Sequence, residues 1–316
     1  MFSDERVGKC QNRLYSATTL PLEFRLPGLD SEQSKKDPTC VALETDWWRI
    51  FPEQTMRTMV RWITLFGAFL AHIDGWRMDP ETGRVLPILN PWSPRNLRND
   101  AERGYQVQVS RGVGSYSAEW TDITPGDGEW VLIVAGSDWR APYQSPWRGI
   151  SRWWLLGKLY SPVDWATSSE RHGQGEHFVE NTMSAGSGLD SDTGENLSKT
   201  EKAEVAGQIS EMGRNGVCVL PRGWTAKLVT DGANTFQTFK AQTEFANMAI
   251  DIGLTGTNLT TEVAGGSFAA ASVHASVDAG VMRGLLELIA TGAREQVLVH
   301  WQRFNFSAGI APYPYW

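Results

Sequence analysis

A chain of 316 residues and 35.1 kDa is long enough for one large domain or two to three modest ones. With 41% hydrophobic and 21% charged residues, it has the means for a real core and is not a wholly disordered chain. A net charge of −7 argues against a globally basic surface that would hold nucleic acid tightly. The longest apolar-leaning run, Trp62 to Ile73, stops at Asp74, short of the roughly 20 residues of a bilayer span. No basic-then-apolar leader follows Met1, so neither a membrane span nor secretion is expected. Cys10, Cys40 and Cys218 form no CxxC pair, which disfavours a disulfide framework or a cysteine zinc site. The 15 tryptophans suit a Trp-rich core first and extensive subunit contacts second.

Residues 1–40 mix Pro21, Pro27, Gly28 and Pro38 with scattered charge and show no sustained period, which predicts an extended arm. An amphipathic helix is predicted from about Pro52, a residue suited to a first helical turn. Met56, Met59, Val60, Ile63, Phe66 and Leu70 recur there at or near three- and four-residue spacing. Phe69–Trp76 and Val85–Leu89 read as short strands, the second fenced by Gly83 and by a Pro91–Pro94 turn. From Gly104 to Ala135 the period drops to two around the turn Pro125-Gly126-Asp127-Gly128, predicting one antiparallel β region. An apolar helix follows from about Trp147 to His172, kinked or divided at Pro162.

Residues 172–214 then carry eight acids against three bases, a net −5. Their first half is Gly- and Ser-rich and expected to be mobile, and Ser198 with Glu201 has capping-box spacing. Val217–Leu220 and Thr225–Thr230 read as strands on either side of Pro221-Arg222-Gly223. A helix is predicted over Thr235–Ile252, and residues 253–267 form a Gly-, Thr- and Asn-rich loop whose one charge is Glu262. The last helix, Ser267–Arg303, would run about 55 Å at 1.5 Å per residue. Val273, Val277, Val281, Leu285, Ile289, Val297, Trp301 and Phe304 mark its predicted buried stripe. Gly280, Gly284 and Gly292 predict that it bends or lies close against another backbone.

The enzyme motifs fail: there is no P-loop, GxGxxG, HExxH or GxSxG. Asp190-x-Asp192-x-Gly194 with Glu201 resembles a calcium loop, but Glu195 stands where the sharp-turn glycine belongs. His172, Glu176 and His177 lack a fourth ligand for a metal. Asp122, Asp127, Glu129 and Asp138 lie among tryptophans, the ground for a carbohydrate-binding or carbohydrate-active alternative. Turn and surface roles account for them more simply. No cofactor or metal is expected, and nothing compels catalysis.

The order of parts carries more. Pro125-Gly126-Asp127-Gly128 stands before Trp130, and Pro142-Tyr143, Arg148-Gly149, Lys158, Trp165 and Glu170 follow. Val219-Leu220-Pro221, Gly223, Phe236 and Ile250 come next, then Gly256 to Thr261, Gly265-Gly266-Ser267 and Val273-His274. In this order the chain resembles the portal proteins of tailed bacteriophages, most closely the Mu-like branch, over residues 45–310. The resemblance implies an α+β portal fold: an arm (1–40), a wing (41–150), a stem helix (151–172), a clip (173–230), a second stem helix (231–252), a tunnel loop (253–267), a long wing/crown helix (268–304) and a tail (305–316). It implies a non-enzymatic homo-oligomeric ring, typically of twelve subunits, at one capsid vertex of a virion made in the bacterial cytoplasm. Double-stranded DNA would enter and leave through its channel, and terminase, head–tail adaptor and major capsid protein would be its partners. Thr257, Asn258, Thr260, Thr261, Glu262, Gly265 and Gly266 would form the tunnel loop. Glu176, Glu180, Asp190, Asp192 and Glu195 would contact partners at the clip. Another structural virion subunit is the remaining alternative.

Overall fold

The structure, a computed structural model, describes residues 4–111, 118–136, 145–174, 176–181, 203–204, 207, 224–229, 234–257, 268–306 and 309–316. It divides into two compact units, Met1–Trp153 with Asn247–Trp316 and Trp154–Ala246. The anticipated mixture of helices and antiparallel strands is present.

In the first unit the N-terminal residues are not an extended arm. Helix α1 spans Glu5–Ala17, and the Asp4 carboxylate accepts the amides of Arg6 (3.0 Å) and Val7 (3.1 Å). This satisfies two of the donors that a helix start leaves open. Val7, Cys10, Leu14 and Ala17 form its buried stripe, at the spacing of an amphipathic helix. Interleaved Arg6, Lys9 and Arg13 hide that stripe in the sequence. After strand β1 (Glu23–Arg25) and the single turn α2 (Ser31–Ser34), helix α3 covers Pro38–Ile50, so residue 41 falls inside a helix. Helix α4 (Glu53–Phe66) buries Met56, Met59, Val60 and Ile63 as their spacing predicts. It ends at Gly67, whose φ of 80° is left-handed and favours glycine.

The single predicted β region is two sheets. Strand β2 (Ala68–Met78) is central to one, between β3 (Val85–Trp92) and β7 (Trp130–Val134), all antiparallel. Strands β4 (Leu97–Asp100), β5 (Gly104–Arg111) and β6 (Ala118–Asp122) form the other. Strand β3 runs through its two prolines, with Pro87 opposite Trp76 and Pro91 opposite Ala71. An edge strand tolerates the missing amides. A short strand, β10 (Tyr313–Tyr315), pairs with β1.

The long helix is α8 (Phe268–Ala293), a π-helical turn (Arg294–Leu298) and α9 (Val299–Asn305). Its buried stripe is shorter than predicted. Leu286, Ile289, Ala290, Ala293, Val297 and Trp301 are buried, whereas Val277, Val281 and Phe304 are exposed by 43%, 39% and 56%. Among the described side chains, packing on the core begins near Met282; Gly292 sits so close to β7 that a Cβ would stand 2.5 Å from Ile133 Cγ1. The π turn follows this close approach, and Gln296 within it acts as a surrogate strand. Leu132 N donates to Gln296 Oε1 at 2.7 Å, and Gln296 Nε2 donates to Leu132 O at 2.8 Å. Beside it, Trp130 N donates to Asp127 Oδ1 (3.0 Å) and Trp130 O accepts from Gly126 N (3.0 Å). At the opposite rim, Asn305 exchanges the same amide pair with Val85 at 2.7 and 2.9 Å. Edge groups that would otherwise invite an added strand are thereby occupied.

The core centres on Trp47, fully buried against Phe24, Phe51 and Trp316 at centroid distances of 5.6, 4.6 and 5.9 Å. Beside it lies a buried polar node. The Asp46 carboxylate accepts from Arg84 Nε (2.6 Å), Arg84 Nη2 (2.7 Å) and the Trp301 indole N–H (3.1 Å).

On β2, His72 Nδ1 lies 2.7 Å from Asp74 Oδ1, its Nε2 lies 3.4 Å from Glu129 Oε1, and its ring meets Trp130 edge-on. Burial alone lowers the His72 pKa, but hydrogen bonds to Asp74 and Glu129 outweigh it and the net shift is upward. A raised folded pKa gives stability that is full below the unfolded value of about 6.5 and is lost as pH rises through the folded value. Relative to His72→Gln, the wild-type chain is expected to melt higher at about pH 6 and to lose that advantage by about pH 8. Paired thermal melts check this. Asp122 meanwhile accepts from Gln106, and Asp127 holds the amides of Glu129 (2.8 Å) and Trp130. These carboxylates, the ground of the carbohydrate alternative, serve structure; Asp138 lies outside the described residues.

Helix α5 (Pro146–Trp154) falls almost wholly in the first unit; the second begins with a π-helical segment, Leu155–Tyr160, followed by α6 (Ser161–Gln174). The disturbance predicted at Pro162 takes this form because proline has no amide to offer the preceding turn. Strands β8 (Glu176–Asn181) and β9 (Trp224–Val229) pair antiparallel, so a strand replaces part of the expected mobile stretch. The predicted strand Val217–Leu220 and the Ser198–Glu201 capping box lie outside the described residues. Helix α7 spans Asn234–Thr255, close to its predicted bounds.

Candidate functional site

The candidate site is built where α7 ends and α8 begins. The amide of Gly256 returns to Ile252 O at 2.9 Å, and its φ is 79°, the left-handed turn that closes many helices. A Cβ there would stand 3.0 Å from Val281 Cγ2 and 3.1 Å from Val277 Cγ1 on α8, so strain and crowding both select glycine. The Thr255 hydroxyl lies 2.9 Å from Asp251 O and 3.0 Å from Thr257 O, fixing the direction in which the chain leaves the helix.

Of the predicted tunnel residues, Thr257 is described, and it is 2% exposed. Its side chain is thus buried beside the turn that closes α7. Asn258, Thr260, Thr261, Glu262, Gly265 and Gly266 lie outside the described residues. Of the predicted clip acids, Glu176 and Glu180 fall on β8 opposite Val229 and Thr225; Asp190, Asp192 and Glu195 lie outside the described residues. The structure thus places Thr257 in unit one and the β8 acids in unit two.

Sequence reasoning missed the ion pairs that tie α1 to the two helices. Arg6 donates through Nε to Asp251 Oδ1 (2.8 Å) and Oδ2 (2.9 Å), and its Nη2 also bonds Oδ2. The Asp251 side chain is fully buried. The Cys10 thiol, 3.3 Å from Asp251 Oδ1, is pushed up to about 12 by burial first and then by that carboxylate, so it stays a protonated donor. Arg13 donates through Nε (2.8 Å) and Nη2 to Oδ2 of Asp278 on α8, whose side chain is 5% exposed. The available signal was an aspartate in each of two apolar helical stretches, with two arginines about two turns apart near the N-terminus.

In the second unit the two helices approach to near backbone contact. A Cβ on Gly157 would stand 2.4 Å from Ala246 Cβ and 2.9 Å from Gln242 O. The Thr243 hydroxyl donates to Gly157 O at 3.1 Å. Leu155, Leu156, Leu159, Tyr160, Val163 and Trp165 are left exposed, a large apolar patch for one protomer. Among the described residues, no cluster of three or more His, Cys, Asp or Glu is placed to hold a metal ion, and no helix is long and apolar enough to cross a membrane.

Several solved structures share the fold. The neck of an empty gene transfer agent particle computed with C6 symmetry matches with a TM-score of 0.57 and 12% identity, over 99% of this chain and 81% of that one. A HK97-family phage portal protein from Corynebacterium diphtheriae matches at 0.52 and 12%, over 95% and 91%. The neck of the native particle computed with C12 symmetry matches at 0.51 and 11%, over 99% and 81%. No curated protein matches the chain. The model of the family described as the portal protein of Mu bacteriophage matches residues 1–316, and the chain, whose helices, paired strands and long C-terminal helix follow the portal fold, belongs to that family.

Proposed function

We propose that the protein is a non-enzymatic ring subunit of the capsid-vertex channel through which double-stranded DNA is packaged and later ejected. The observation that carries this reading is the family match over the whole chain. The C12 and C6 symmetries of the similar necks support a ring, with twelve copies as the working number. In this reading the tunnel loop lies within residues 253–267, after α7 ends at Thr255, and Glu262 is its one formal charge. The acid-rich segment 173–230 forms the clip, where terminase and the head–tail adaptor dock. Helices 151–172 and 231–252 form the stem, and the wing meets the major capsid protein.

The charge balance supports a conduit. A protein that grips DNA neutralises phosphates and gains affinity by counterion release, which would stall a moving polymer. A channel subunit of net charge −7 repels phosphates over a Debye length of about 10 Å. Acidic clip residues would steer docking of basic partners more than they supply affinity. Glu262→Lys is therefore expected to leave ring assembly intact, seen by negative-stain imaging, while DNA packaged per particle falls. Glu262→Lys particles that fill normally would remove the loop from this role. Purified chain that stays monomeric or dimeric across concentration, salt and added partners would remove the ring itself.

A further inference from the structure

Helix α1 is tied by ion pairs to both helices that flank residues 258–267. Arg6 and Arg13 stand about two turns apart and so leave one face of α1. One reaches Asp251 in the last turn of α7, and the other reaches Asp278 on α8. Both carboxylates are buried, at 0% and 5% side-chain exposure. Asp278 Oδ1 is buried without a hydrogen-bond partner among the described residues, so Arg13, bound at Oδ2, is the counter-charge shown for that group. Such pairs contribute little net energy to folding compared with apolar packing, yet breaking one strands a buried charge. Their cost is better explained by geometry. A guanidinium held through two nitrogens fixes both distance and direction, and two of them on one rigid helix fix the spacing of the helices they grip.

We propose that α1 is a two-point clasp in which Arg6 and Arg13 are positioning residues, setting where α7 ends relative to α8 and so where the connection between them starts and returns. Gly256, seated against Val277 and Val281, is the contact that this spacing brings into register, with buried Thr257 next to it in the chain. The proposal rests on the channel reading for its consequence: the connection is the element meant to touch passing DNA. Its geometry stands without that reading.

The test uses the full chain and reads local order and DNA passage separately. In Arg6→Ala and Arg13→Ala, amide hydrogen exchange of residues 252–257 is expected to rise about tenfold or more, with amides of α3 and β2 unchanged. Arg6→Lys and Arg13→Lys keep the charge without the two-nitrogen grip; they are expected to loosen the same residues less, and they carry the test if an alanine variant fails to fold. The double exchange Arg13→Asp with Asp278→Arg is expected to restore much of the protection. Exchange that rises equally throughout the unit, or nowhere, overturns the clasp, as does restored melting temperature without restored protection at 252–257. Rings of the loosened variants are expected to package less DNA. If Glu262→Lys blocks passage while these rings fill normally, the clasp has no functional part and the channel reading stands. If Glu262→Lys fills normally while 252–257 loosens as expected, the clasp stands and the loop assignment fails.

Discussion

Asp46→Ala is expected to destabilise the first unit by about 3–5 kcal/mol, the cost of breaking a buried ion pair from one side. Asp46 is fully buried and receives three donors, two from Arg84 and one from Trp301. Alanine leaves the buried indole N–H without its acceptor and the Arg84 guanidinium, 24% exposed, without its carboxylate. Asp46→Asn keeps an acceptor oxygen and is expected to cost less. Replacing both charges with apolar side chains, Asp46→Leu with Arg84→Met, is expected to cost less than Asp46→Ala, because no charge is then stranded. Urea denaturation followed by tryptophan fluorescence measures all three. A loss under about 1 kcal/mol for Asp46→Ala would show the node to be solvated in solution.

Gly157→Ala is expected to destabilise the helix pair of the second unit by about 1–3 kcal/mol, and Gly157→Leu to separate the helices. The new Cβ meets Ala246 Cβ at 2.4 Å and the backbone oxygen of Gln242 at 2.9 Å. A main-chain carbonyl inside a helix cannot move aside as a side-chain tip can. The opposite sign is expected for Gly280→Ala and Gly284→Ala, where nothing stands within 4 Å of the added atom. There the intrinsic helical preference gives up to about 1 kcal/mol of stabilisation in the isolated chain. Hydrogen exchange over residues 154–174 reads the first change, and thermal melts read the others. Equal effects at Gly157 and Gly284 would mean that the two helices do not meet as closely as described.

What the sequence could reveal followed the range of the forces involved. Helix α4, most of α7 and the strand around Val85 are set by local spacing and turn residues, and all were legible. Helix α1 was not, because Arg6 and Arg13 look like solvated charge until partners 245 and 265 residues away are seen. The division of the β region into two sheets depends on register, with β7 joining β2 across more than fifty residues. The stripe of the last helix was over-read at Val277, Val281 and Phe304, since apolar periodicity does not say where a core ends. The resemblance pointed to the α7–α8 connection as the place to look. It did not show that Thr257 is buried, because that depends on packing between distant segments.

The rims of the β3–β2–β7 sheet are closed from within, at Trp130 and Leu132 on one side and at Val85 on the other. A second copy that comes alongside this sheet finds no free rungs at these positions, so contact there runs through side-chain surfaces. A free edge is a template for open-ended main-chain pairing of the fibril kind. Surfaces that meet at an angle instead allow a circle to close.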